Sequence, residues 1–316
     1  MTLREELRNI FGDYVSSKRL IQYNRDYYRR ACAGELTRST PKSWDLREPN
    51  GKTAPTQVTV PVPKNTYAEI EKRFSMLNIL GDAIVKGNMN ALMVAGAPGV
   101  GKTYELEKKL EKAMNDTSIT SYVSIKGTVS AIVLYKTLFE NKNRGQVIVL
   151  DDVDRIYGDE EAMNILKAAL DSSVVRKVSW MKASRFLEED GIPNSFEYEG
   201  QVVFITNVNP DRIIAKDGRM SPHMNALVSR SVFLDLCIHE ADEILMRIEQ
   251  VILSSTLKED VGIDDNQADL ILQWMKSKSK SLRSVSIRTV LQVAGFLKTS
   301  PENWEDIANA TLLKRY

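Results

Sequence analysis

The sequence predicts an α/β protein: a five-stranded parallel sheet, followed by an all-helical part and preceded by a helical arm. Three observations lead there. Five short β-branched or apolar runs alternate with helical patterns between residues 66 and 238. A glycine-rich turn stands between the first run and the helix after it. Beyond residue 239 the strands stop and four amphipathic helical patterns follow. Short buried strands alternating with helices are the pattern of a parallel sheet covered on both faces.

Composition limits the function classes. The 316 residues are 43% hydrophobic, which suffices for a sizeable core. Lys and Arg number 43 against 42 Asp and Glu, a net charge of +1, so no global field recruits nucleic acid or membrane and any basic surface is local. The two cysteines, Cys32 and Cys237, stand far apart, with no CxxC or Cys/His cluster to form a metal site. They read as thiols of a reducing compartment. The opening "MTLREELRNIFG" carries charges where a signal peptide needs an apolar segment. No run approaches the roughly 18 apolar residues of a membrane span. The expectation is an intracellular, cytoplasmic protein with no membrane partner.

Taken in order, residues 1–65 form a helical arm and tether. The arm segment "YVSSKRLIQYNRDYYRR" combines five basic residues and four tyrosines with a single acid, Asp26. That composition suits DNA or a protein partner, and a helix packed on a neighbouring subunit accounts for it equally well. The stretch "TRSTPKSWDLREPNGKTAPTQVTVPVPKN" holds five prolines and few periodic apolar positions, which marks a tether. The compact part begins near Thr66. Its strand runs are "ALMVA" from 91, "ITSYVSI" from 119, "QVIVL" from 146, "QVVFIT" from 201 and "SVFLDL" from 231. The helical patterns after 239 are "EADEILMRIEQVILSSTL", "DNQADLILQWMKS", "SIRTVLQVAGFLKT" and "PENWEDIANATLLKRY", the last opening on a proline suited to a first turn.

Gly96, Ala97, Pro98, Gly99, Val100, Gly101, Lys102 and Thr103 match GxxxxGK[ST] without a departure. Glycines let the backbone turn so that its N–H groups and the next helix N-terminus face an anion. The lysine then reaches outer phosphates, and the threonine hydroxyl suits Mg2+. Tyr104, next in the helix, completes the candidate nucleotide-binding set. In "VIVLDDVDR" four apolar residues bury a strand and deliver Asp151 to its end, placed to hold Mg2+ through water, with Asp152 beside it. The same acidic cluster also suits a helix N-cap.

With both elements in place, residues from about 66 to 316 resemble an AAA+ ATPase, of the general look of ATPases encoded by tailed bacteriophages. "GAPGVGKT" and "VIVLDDVD" resemble Walker A and Walker B. The resemblance implies ATP and Mg2+ as ligands, an ATPase core over 66–238, a helical lid over 239–316, and assembly into a ring, a hexamer, in the host cytoplasm if phage-encoded. "VVFITNVNP" looks like sensor 1, with Asn207 as the residue that positions attacking water and Thr206 as second choice. "ALVSRSVFLDL" resembles the Ser-Arg-Cys motif of clamp loaders, which makes Arg230 the arginine finger reaching a neighbour's phosphate, with Arg219 as runner-up. "SLRSVSIRTVLQVAGF" resembles the start of the sensor 2 helix, with Arg288 chosen and Arg283 the alternative. One departure stands out. The family usually has Glu after the Walker B Asp, whereas this chain has Asp152, shorter by a methylene; hydrolysis is expected to be slow, with Asp154 as the other candidate base.

Two loops bear on the kind of work done. Threading relatives usually place an aromatic residue before the pore-loop glycine, where this chain has Lys126 before Gly127. Between Walker B and sensor 1, "VVRKVSW" and "SFEYEGQVVF" read as a hairpin projecting Arg176, Lys177, Trp180, Lys182 and Arg185 toward a pore, a set suited to nucleic acid; the opposing reading is an ordinary solvated insertion with Trp180 packed into the core. The first expectation is therefore an ATPase acting on DNA in phage-type replication or recombination, as a helicase loader or motor. A protein remodeller and a slow nucleotide-gated assembly switch are the alternatives.

Overall fold

The computed structural model describes residues 65–216, 218–254 and 256–315. The anticipated arm and tether, with Cys32, lie outside the described residues apart from Asn65.

The first described helix, α1 (Tyr67–Val85), starts at Thr66, whose hydroxyl accepts from the Glu69 N–H while the Glu69 carboxylate accepts from the Thr66 N–H. This reciprocal cap satisfies two otherwise orphaned donors. In chain order follow β1 (Ala91–Ala95), α2 (Lys102–Asn115), β2 (Ser121–Lys126), α3 (Ala131–Glu140), β3 (Gln146–Asp151), a 3-10 turn (Asp154–Gly158) and α4 (Glu160–Ala169). Next come β4 (Lys177–Ser179), α5 (Arg185–Glu189), β5 (Ser195–Glu197), β6 (Gln201–Thr206), α6 (Pro210–Ala215), α7 (Ser221–Val228) and β7 (Val232–Asp235). The helical part comprises α8 (Ala241–Leu253), α9 (Thr256–Val261), α10 (Asp265–Lys278), α11 (Ile287–Thr299) and α12 (Trp304–Leu312).

The five anticipated strands form one parallel sheet in the order β2-β3-β6-β1-β7. Side chains alternate across each strand, and the central strands β3, β6 and β1 are buried on both faces while the edge strands β2 and β7 are half-buried. Leu92, Val94, Val147 and Val149 face the side covered by α1 and α2. Met93, Ile148, Leu150 and Phe204 face the side covered by α3, α4 and α7. Each such aliphatic or aromatic side chain contributes about 1.5–3 kcal/mol when withdrawn from water. The helical part continues the first of these cores: Ile248, Val251, Ile271, Met275, Val290 and Val293 belong to the same buried cluster as Val94. Sheet and lid lie within one compact unit.

The order reverses at β1, whose chain leaves for the far edge strand β2 while β6 and β7 flank β1 itself. Open α/β sheets place ligands outside the carboxyl ends of strands at such a point. The ends of β1, β6 and β3 lie side by side there, and each carries one of the motifs read from the sequence.

Two details differ from the sequence reading. The last helix starts at Trp304 with Asn303 as N-cap, three residues after Pro301, which lies in the preceding turn. The helix α9 is an addition to the four anticipated patterns. Among the described residues no helix is long and apolar enough to cross a membrane.

Candidate functional site

The turn from β1 into α2 holds Gly99 at φ 73 and Gly101 at φ 97, left-handed conformations that cost a residue with a Cβ about 1 kcal/mol or more. Gly101 is the N-cap of α2 and offers no side chain to its free N–H groups, which leaves that helix end open to an anion. Val100 turns its side chain into the core. Lys102, 5% exposed, donates to Gly96 O at 2.8 Å, Ala97 O at 2.9 Å and Asn207 Oδ1 at 2.9 Å. Burial pulls its ammonium down to about 8, an effect opposed by Asp152 and Asp151 and reinforced by Arg288.

Thr103 donates to Asp151 Oδ1 at 3.1 Å. Asp151 ends β3 almost buried, and burial pushes its carboxyl above the ordinary range while the Thr103 bond opposes that. Lys126, at the end of β2, turns back to this corner, 2.9 Å from Glu107 and 3.6 Å from Asp151. Asp152 takes φ 54, a left-handed conformation that Asp tolerates better than most residues, and its N–H donates to Ile205 O at 2.9 Å. Asn207 donates from Nδ2 to Asp152 Oδ1 at 2.7 Å. Thr206 is committed differently: its hydroxyl donates to Asp154 Oδ1 at 2.6 Å and accepts from the Val208 N–H. Asp154, also pushed up by burial, is thereby tied to the base of the loop.

The lid touches this turn directly. Ile287 N–H donates to Gly99 O at 2.8 Å, and a Cβ on Gly99 would stand 2.5 Å from Ser286 Cβ. Arg288, in the first turn of α11, lines the resulting cavity of about 410 Å3 together with Lys102, Thr103, Asp151, Asp152 and Asn207. Pro98, Gly99, Gly101 and Tyr104 line it as well. Its other end is apolar, formed by Val251, Leu257, Val261 and Leu291 of the helical part, beside Asp260, which accepts from the Tyr104 hydroxyl. A cleft of a few hundred Å3 with an apolar wall and convergent polar groups is of the size that holds a small organic ligand. The apolar end was not foreseen. It comes partly from α9, a helix too short to give a period of its own.

Arg283 is elsewhere: its Nε donates to Leu313 O at 2.9 Å. Arg230 precedes β7, at the end of the sheet opposite the cavity, half-buried, donating to Ala226 O at 3.0 Å with Nε 3.8 Å from Asp171. Arg219 pairs with Glu160 at 2.6 Å on the surface.

The hairpin between the third and fourth sheet strands forms, with β4 antiparallel to β5, yet two of its expected projecting residues point inward. Arg176 is buried, donating to Ala169 O and Gly200 O at 3.0 Å each, with its guanidinium over the Tyr198 ring. Trp180 packs on Tyr135, ring centroids 5.8 Å apart. Position along the strand decides this: Arg176, Val178 and Trp180 share the face turned to the core, so the anticipated basic-aromatic projection reduces to Lys177, Lys182 and Arg185.

No protein-family model matches the chain. The chain is 44% identical over 255 residues to an uncharacterized 36.7 kDa protein encoded in the nrdC-mobD intergenic region of Enterobacteria phage T4, covering 79% of this chain and 78% of that one. Among solved structures it is similar to domain III of the replication initiation protein DnaA from Thermotoga maritima, at 13% identity, 80% of this chain, 98% of that chain and a TM-score of 0.44. It is likewise similar to the Aeropyrum pernix ORC1 protein in complex with DNA, at 12% identity, 75% and 64% coverage and a TM-score of 0.44.

Proposed function

We propose that the chain, which belongs to one family with the uncharacterized phage T4 protein, is an AAA+ P-loop ATPase that binds ATP with Mg2+ in the cavity between sheet and helical part and hydrolyses it. One observation carries the reading: Lys102, Thr103, Asp151, Asp152, Asn207 and Arg288, drawn from four separate stretches of sequence, line one cavity.

The glycine-rich turn and the first turn of α2 cradle phosphate through backbone N–H groups. Lys102 exchanges its loop carbonyls for phosphate oxygens. The Thr103 hydroxyl and Asp151 carboxylate, 3.1 Å apart, offer two oxygens on one side, which fits an ion that keeps most of its waters and takes one or two protein oxygens. Mg2+ bound there would neutralise charge on the phosphates. Asp152 accepts the proton of the attacking water, and Asn207 orients both. Asp152 is the base in this account because it lines the cavity, whereas Asp154 is spent on Thr206. Its side chain is one methylene shorter than glutamate, so turnover is slow. Arg288 meets phosphate from the lid, residues 239–316, which moves against the core, residues 66–238.

Arg230 lies at the far end of the sheet from its own cavity and is suited to a neighbour's. On this reading the chain works as a ring, a hexamer, and Arg230 completes the adjacent site. We assign the ring to DNA in phage-type replication or recombination; the arm with its tyrosines and arginines and the exposed Lys177 and Arg185 support that. A protein substrate has one observation in its favour: Val174, Val175, Met181 and Phe186 of the insertion are exposed apolar side chains. ATPase rate against protein concentration, with and without single-stranded DNA, tests the proposal in wild type and Arg230→Ala. A rate per subunit that rises with concentration, is stimulated by DNA and collapses in the variant is expected. A rate indifferent to all three removes the ring and the DNA together.

A further inference from the structure

Over residues 270–301 the chain carries Lys276, Lys278, Lys280, Arg283, Arg288 and Lys298 and not one Asp or Glu, in a protein whose net charge is +1. The fold concentrates this bias. The helix α10 ends at Lys278, and Leu282, buried, pairs in an isolated antiparallel bridge with Leu313. Arg283 N–H donates to Leu312 O at 2.9 Å and Lys314 N–H to Ser281 O at 2.8 Å. The bridge thus lays Lys314 and Arg315 beside Lys280 and Arg283, at the corner where α10 and α12 both end. Lys276, Lys280, Arg283, Lys314 and Arg315 are exposed and Lys278 half-buried.

Carboxylates neutralise little of this charge, although Arg283, Lys314 and Arg315 donate to the backbone carbonyls of Leu313, Lys280 and Ala310. Lys276 pairs with Glu249 at 3.0 Å; among the described residues the other five have no carboxylate within ion-pair distance. The dipole of α10 favours cations in its last turn, which covers Lys276 and Lys278, but that effect fades within a turn and Lys280, Arg283, Lys314 and Arg315 lie beyond the helix ends. Like charges gathered without counter-charge repel one another, and a polyanion relieves that repulsion. Ser279 and Ser284 stand between the cations, and hydroxyls of this kind supplement Lys and Arg at phosphate oxygens. Residues 276–284 include no aromatic side chain, so that stretch offers no platform for stacking bases. Its chemistry is that of a charged backbone.

We propose that this corner of the lid binds the phosphate backbone of DNA without regard to sequence. The proposal rests on the DNA reading given above and adds a place to it, outside the ATP cavity and outside the insertion. The test measures binding of a labelled duplex and its single strand to the full chain with ATP present, over roughly 50 to 200 mM salt. Wild type is compared with Lys278→Gln/Lys280→Gln/Lys314→Gln, which alters no buried contact. The variant is expected to bind more weakly, with a log K against log salt slope shallower by about two to three, and with unchanged thermal unfolding and ATP affinity. Equal affinity and slope in the two proteins overturn the proposal while leaving DNA as the substrate through another surface. No binding of either DNA by wild type overturns the proposal and the DNA reading together. Binding of polyglutamate as tight and as salt-dependent as that of DNA overturns it in favour of an acidic protein partner.

Discussion

Asn207 donates to Asp152 Oδ1 at 2.7 Å while its own Oδ1 accepts from Lys102 at 2.9 Å, so a single amide spans the carboxylate and the ammonium. This orientation holds Asp152 at the cavity wall and keeps Lys102 on the loop carbonyls. Asn207→Ala is expected to keep ATP binding within a few-fold and to lower turnover about 100-fold, the scale of a mispositioned acid–base group. Steady-state phosphate release checks this, and unchanged turnover would show that the amide has no part in positioning.

Lys102 gives the site a pH dependence of known sign. Its ammonium is held at about 8 in the folded chain against 10.5 for an ordinary lysine. Between those values the unfolded state binds more protons, so stability rises with pH across that window, and below about 8 the burial cost, about 3 kcal/mol, is present in full. Phosphate needs the charged form. Affinity for ATP should therefore fall as pH rises above about 8, approaching tenfold per unit, in titrations where Lys102→Ala shows weak binding and no such slope.

Gly99 joins loop and lid. Gly99→Ala places a methyl 2.5 Å from Ser286 Cβ at a φ of 73, so α11 must lift away from the turn. The variant is expected to lose about 1–3 kcal/mol of stability, the range of a strained left-handed residue, and to bind ATP more weakly because Arg288 moves with α11. Differential unfolding with and without ATP reads both effects.

The inward turn of Arg176 is testable against its alternative. Arg176→Leu leaves the Ala169 and Gly200 carbonyls without their donor and removes the contact with Tyr198. A stability loss of about 1–3 kcal/mol with DNA affinity unchanged is expected. Lost DNA affinity at full stability would return the residue to a nucleic-acid surface.

The strands were legible in the sequence because each is a short apolar or β-branched run, the three central ones buried on both faces, and GxxxxGKT marked the position of the cradle by itself. Asp151, Asp152, Asn207 and Arg288 were legible as neighbours of that cradle through their place in a family pattern; the parallel order β3-β6-β1 then brought the first three together. Less could be read where a residue's direction depends on register. Arg176 looks like a surface group by composition and Trp180 suits either a surface or a core, and only the pairing of β4 with β5 turns both inward. The apolar end of the cavity escaped for another reason: Val251, Leu257 and Leu291 come from three separate helices, one of which, α9, is too short to show a period, and no local pattern says that they converge. The basic corner was scattered in the same way, since Lys280 and Lys314 are brought together by a two-residue bridge that no local pattern announces.

Hydrolysis of ATP in this cavity through Asp152 is the central claim. The direct measurement is phosphate release from ATP and Mg2+ by the full chain, wild type beside Asp152→Ala, with ATP binding measured in the same samples. Binding by both proteins and release by wild type alone is the predicted result. Equal release by the two, or binding with no release by either, would contradict it.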